Sequence, residues 1–251
     1  MVAFARVPVS ARLRALNAAL KINPSRYTAR AHRAAVLFHM GFHEAAFADY
    51  DEGVLANPEF ALLYAGRGHI CVYAGDYGAA DGWNERALAL QPSLVHANFN
   101  SLLPWICAGE LEKAREKLRK ARLMIPEEPQ IDAMEGLILA REGDHKRAEQ
   151  LADQAVASKR GMVHSHHSWH CAAGVYAMCG RPEKAMAELK RCAEGGLPNY
   201  RALERDPHLR SLNSHPEFLA FIRQLRRDYE AFRDDFNLSE TYVPAAGTTL
   251  R

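Results

Sequence analysis

One spacing governs this chain. Pro24, Pro58, Pro92 and Pro126 stand 34 residues apart, and Gly41, Gly75, Gly109 and Gly143 keep the same step. So do Ala46, Ala80, Ala114 and Ala148, and so do Ala19, Gly53, Ala87, Ala121 and Ala155. Four series sharing one period mark an internal repeat, in which each unit packs mainly on its neighbours. The clearest unit is 61–94: an apolar helix, a Gly75-Asp76 break, a second helix, and a stop at Gln91-Pro92. Glycine suits the left-handed position that closes a helix. Alanine in the second helix lets a neighbouring helix approach closely. Proline ends the second helix, because it lacks the N–H and pushes the preceding residue out of the α region.

A 34-residue helix–turn–helix with these marks resembles the tetratricopeptide repeat (TPR) family. The resemblance implies an all-α fold, a right-handed superhelical solenoid of antiparallel helix pairs. The family's first helix carries an aromatic, present here as Tyr64 and Trp169 but replaced by Arg30, Asn98 and Asp132. Its helix-A glycine appears as Gly68 and Gly136, with Leu102 in the third unit.

Five repeats are expected, at 27–60, 61–94, 95–128, 129–162 and 166–199. Gly180 falls 37 residues after Gly143, so three extra residues sit within 158–165. Residues 1–26 read as an extension and a half-repeat helix at 11–22. That opening suits either a cap or the last part of a longer array. Arg12, Arg14, Asn17 and Lys21 would give it a polar outer face. Residues 200–238 read as capping helices. Pro207 and Pro216 suit first helical turns, Ser214 and Glu217 the two ends of a capping box. An apolar stripe from Phe218 to Phe232 is expected to cover the open end of repeat five. Residues 239–251 read as a disordered tail. The segment 165–235 also resembles TPR segments appended to bacterial serine/threonine kinases, adenylate cyclases and transcriptional regulators. That likeness implies a regulatory or scaffolding module of bacterial type, although the chain has no Gly-rich loop, HRD or DFG motif.

Composition sets further bounds. A formal net charge of +2 gives no strong pull toward nucleic acid or an anionic membrane. The basic run from Lys113 to Arg122 is interrupted by Glu116 and lacks interleaved aromatics, so it reads as a solvated convex face. Cys71, Cys107, Cys171, Cys179 and Cys192 form no CxxC pair and read as free thiols of a reducing compartment. No apolar stretch approaches membrane-spanning length. Cytoplasmic placement is expected.

The candidate site is the concave groove. By family register, repeat one contributes His32 and His39, and repeat two His69 and Tyr73. Repeat three contributes His96, Phe99 and Asn100, and repeat five His167 and His170. The lining is rich in histidine and aromatics, and lacks the basic set that chaperone-binding TPR domains use to clamp a carboxylate. The expected role is non-catalytic binding of a protein or peptide, without cofactor, nucleic acid or membrane; homo-oligomerisation is allowed. A regulatory segment of a larger signalling protein is the alternative. His164, His166, His167, His170 and Cys171 form the one crowd of ligand-type residues. It lacks HExxH and a nearby glutamate, so no metal is assigned, and metal binding stands as a second alternative. Pro104, inside the first helix of repeat three, is expected to kink that helix and leave the Asn100 carbonyl free.

Overall fold

The computed structural model describes residues 8–158 and 165–238. Within them the chain forms thirteen α-helices and one 3-10 helix, with no strand. Helix α1 spans Val9–Ile22. Four helix pairs follow: α2 (Tyr27–Met40) with α3 (His43–Ala56), α4 (Ala61–Ala74) with α5 (Tyr77–Leu90), α6 (Val95–Ala108) with α7 (Leu111–Met124), and α8 (Pro129–Glu142) with α9 (His145–Ala157). A fifth pair is α10 (Ser165–Met178) with α11 (Pro182–Glu194). Helix α12 (Tyr200–Arg205), the 3-10 helix (Pro207–Leu212) and α13 (Pro216–Phe236) complete the chain. His164, the extra residues of the period slip and the tail from 239 lie outside the described residues.

The periodic residues do the work their chemistry implies. Gly41, Gly75, Gly109, Gly143 and Gly180 all have positive φ, from 72° to 98°, and the first four cap their helices in the left-handed region. Ala46, Ala80, Ala114, Ala148 and Ala185 are fully buried. Where alanine gives way to Gly53, an added Cβ would meet Leu63 Cδ2 at 2.5 Å, so the smallest residue admits the next helix. Two of the departures at the family's aromatic position, Arg30 and Asn98, make the same bond as Tyr64. Arg30 Nε donates to the Pro24 carbonyl, Tyr64 Oη to that of Pro58, and Asn98 Nδ2 to that of Pro92, at 2.9, 2.9 and 2.8 Å. Three unlike side chains tie the first helix of a repeat to the turn before it.

Pro104 corrects one expectation. Helix α6 runs through it as one element, and the Asn100 carbonyl is not left free. Asn84 Nδ2 of α5 donates to it at 3.0 Å, while Asn100 Nδ2 donates to the Ala65 carbonyl at 2.9 Å. Gly68 makes room: an added Cβ would stand 2.7 Å from the Asn84 side chain. The bond lost to proline is thus replaced across the repeat interface, as a buried acceptor requires.

The basic run of α7 is largely paired. Lys117 bonds Asp81 at 2.9 Å and also meets Glu85, Arg115 meets Glu142, and Arg122 bonds Asp132 at 2.6 Å. All five thiols are free, with Cys71, Cys171 and Cys192 buried.

The C-terminal segment does more than cap repeat five. The first half of α13 lies against that repeat, with Lys190 and Glu217 2.6 Å apart, and its Phe218, Ile222 and Leu225 join the core that begins at Tyr64. Its second half reaches repeat one. Tyr229 stacks on Phe42 with ring centres 4.3 Å apart, and Arg14 of α1 lies over Phe236. The Ser214–Glu217 capping box does not form; His215 occupies the N-cap without a side-chain bond, and Glu217 is taken by Lys190. Asn199 strengthens the closure: its Nδ2 donates to the Phe38 carbonyl at 2.7 Å and its Oδ1 accepts from the Ala202 N–H. Arg201 adds an ion pair with Glu44 at 3.1 Å.

Candidate functional site

Helix α10 organises the interior. Every residue from His166 to Ala177 is buried, as expected of a helix enclosed on all sides. Its backbone packs on α8, α9, α11 and the 3-10 helix. Toward α2, α4 and α6 it reaches with rings instead.

His167 lies at the centre of that contact. Its ring centre is 4.4 Å from His166, 5.2 Å from His69, 5.4 Å from His39 and Phe99, and 5.5 Å from His96. His39 also meets His166 edge-on at 4.8 Å. Phe38 packs on His69, His43 and Tyr73. Burial pushes the imidazoles of His167 and His69 well below the usual histidine pKa, and the neighbouring histidines add to the effect. These rings are therefore neutral near pH 7. Nε2 of His69 meets no hydrogen-bond partner among the described residues.

A second group stands beside the first and is built differently. Nε2 of His170 lies 2.8 Å from Oδ2 of Asp206, and Nδ1 of His208 lies 2.8 Å from Oδ1 of the same carboxylate. The His208 N–H also donates to Oδ1, since Asp206 caps the 3-10 helix. Burial opposes ionisation of Asp206, but His208 and His170 overcome it and hold the carboxyl well below its ordinary range. Oη of Tyr73 lies 3.3 Å from Nδ1 of His170, so Tyr73 touches both groups.

A cavity of about 210 Å³ opens next to the second group. Tyr73, Phe99, Leu103 and Leu137 supply its apolar wall, and His170, Arg205 and Asp206 its polar one. Ala74 and Gly75, both exposed, stand at its rim.

The nine groove residues chosen from register separate on folding. His39, His69, Tyr73, His96, Phe99, His167 and His170 form one continuous cluster. Asn100 lies apart, fully buried in the Asn84 network, and His32 is exposed. Of the ligand-type crowd, His166 and His167 turn toward His39, whereas His170 turns to Asp206 and Cys171 lines the cavity. Sequence reasoning passed over Phe38, His43, Asn199, Asp206 and His208 as site residues. Asp206-Pro207 was legible as a helix start, and an ionisable N-cap was its only hint.

No protein-family model matches the chain, and no curated protein matches it. Its likeness is to solved helical-repeat structures. A chain of the APC/C hetero-tetramer Cut9–Hcn1 is 12% identical over 90% of this chain and 44% of that one, with a TM-score of 0.57. TTC0263, a thermophilic TPR protein of Thermus thermophilus, is 17% identical over 89% and 98%, at 0.49. YrrB, described as a TPR protein with an unusual peptide-binding site, is 20% identical over 76% and 97%, at 0.45. The fold is a TPR-like all-α solenoid. These likenesses do not extend to the kinases, cyclases and regulators suggested by 165–235.

Proposed function

We propose that this protein is a non-catalytic interaction module that receives one apolar or aromatic anchor of a protein or peptide partner in the cavity beside Tyr73. The supporting observation is the cavity itself: a largely apolar pocket with a few convergent polar groups, the usual form of a recognition site. Its volume fits a single large side chain rather than a long peptide. Tyr73, Phe99 and His170 are the register-derived groove residues that line it, and burying one aromatic anchor in such a pocket supplies most of the energy of a small interface. His39 and His96, partly exposed, would contact the partner beyond the anchor. The buried thiols offer no ready nucleophile, because burial drives their pKa upward, to about 11 for Cys71. The expected partner class is a protein, in keeping with the APC/C hetero-tetramer Cut9–Hcn1.

The test is selection of peptides from a random display library by wild-type protein and by Ala74→Trp, which places a bulky ring at the exposed rim without disturbing the core. Peptides sharing an aromatic or large aliphatic anchor, bound by wild type and lost with Ala74→Trp at unchanged thermal stability, would support the reading. Equal selection by both proteins would sink it.

A further inference from the structure

Three imidazoles from the two ends of the array converge on one point. His39 comes from the last turn of α2; His166 and His167 come from the first turn of α10. One ligand nitrogen from each lies within 4.8 Å of the others. Neighbours such as His166 and His167 ordinarily diverge on a helix, since only residues three or four apart share a face. Here both rings lean on His39, which meets them edge-on at 4.8 and 5.4 Å.

We propose that His39, His166 and His167 bind a divalent late transition ion of the zinc, copper and nickel class, joining repeat five to repeat one. The donor set selects that class. Imidazole nitrogen suits these ions, whereas calcium and magnesium require oxygen ligands. Bonds of about 2.0–2.1 Å to zinc place tetrahedral nitrogens about 3.3–3.4 Å apart. The three nitrogens therefore need to close by about 1.5 Å at most. His39 is partly exposed and meets both α10 rings edge-on, so ring rotation supplies that movement. The exposed side of His39 leaves a position for water or a fourth ligand, the usual arrangement when three protein groups bind zinc. His69 and His96 pack on His167 and hold its orientation, the part that surrounding groups play at metal sites.

The experiment uses the full chain without an affinity tag, stripped with chelator. Zn²⁺ alone is titrated by calorimetry, and Co²⁺ alone is followed through its visible d–d bands. Wild type is expected to bind one equivalent, to show the bands of low-coordinate cobalt, and to melt at higher temperature with zinc. His166 and His167 are buried, so the deciding variant is His39→Ala, whose affinity should fall at least roughly tenfold. His32→Ala, an exposed histidine on the same helix, should bind as wild type does. No uptake by wild type, equal binding by His39→Ala, or an equal loss in His32→Ala would each overturn the proposal.

Discussion

The two histidine groups of the interior differ in how their charge is handled. The group around His170 has a counterion, for Asp206 sits between His170 and His208 within 2.8 Å of each. The titratable neighbours that act on His167 are other histidines, His166, His69, His39 and His96 among them. In the first group a buried carboxylate stays ionised because two imidazoles stabilise it. In the second, burial and the neighbouring imidazoles keep His167 and His69 neutral. One cluster thus acts as a polar clasp between α10 and the 205–208 turn. The other packs as an aromatic stack between α10 and the helices α2, α4 and α6.

The largest way to break the contrast is Asp206→Asn. Asparagine keeps the N-cap acceptor but removes the charge and turns one acceptor oxygen into a donor, so the loss should be about 3 kcal/mol, read from urea denaturation at pH 7. Acid titration separates the groups next. His43, partly buried against Phe38 and Asn199, has its pKa lowered to about 4 by burial and by Arg201. Above pH 6.5 folded and unfolded states are both neutral there. Below it the unfolded chain takes up a proton that the folded one refuses, so stability falls between pH 6.5 and about 4. Partial solvent screening limits that loss to about 2 kcal/mol. His69 and His167 act in the same direction. Asp206 has the opposite chemistry and a lower window. Its stabilisation is complete above the ordinary carboxylate range and is lost as pH falls below about 4. Denaturation midpoints against pH should therefore show two acid limbs. His43→Gln should flatten the upper one and Asp206→Asn the lower.

Smaller effects sharpen the contrast further. With chelator present, His167→Leu should change neutral-pH stability by less than about 1.5 kcal/mol, since a neutral ring is exchanged for an apolar side chain of similar size. A loss as large as that of Asp206→Asn would show that the stack carries charge after all. Tyr73→Phe, which removes the contact between the groups at His170, should cost about 1 kcal/mol, again by urea denaturation.

Much of this was legible in one dimension, and the limits are instructive. Gly75 could be assigned to a helix cap because a cap is a local event, settled within a few residues by backbone geometry. Ala80 and Ala87 could be assigned to close helix packing because each repeat meets the next at a fixed offset. Pro104 shows where such reasoning fails. That it breaks a helical bond is local; that Asn84 replaces the bond depends on side chains meeting across two helices. The candidate site shows the same limit in its pairings. Register grouped His39 with His32 and His167 with His170. In the folded chain His39 joins His167, while His170 joins Asp206.

The sequence by itself determined the repeat, its helix ends and its small-residue contacts, because these follow from interactions repeated every 34 residues between neighbours. Tertiary structure alone decided that the array closes on itself. The bond from Asn199 to the Phe38 carbonyl spans 161 residues, and no periodic pattern encodes a contact made once. That closure brings together a histidine stack, a carboxylate clasp and a small cavity. The physical reason is that the sum of small rotations along the stack decides which distant side chains meet, and no single repeat contains that sum.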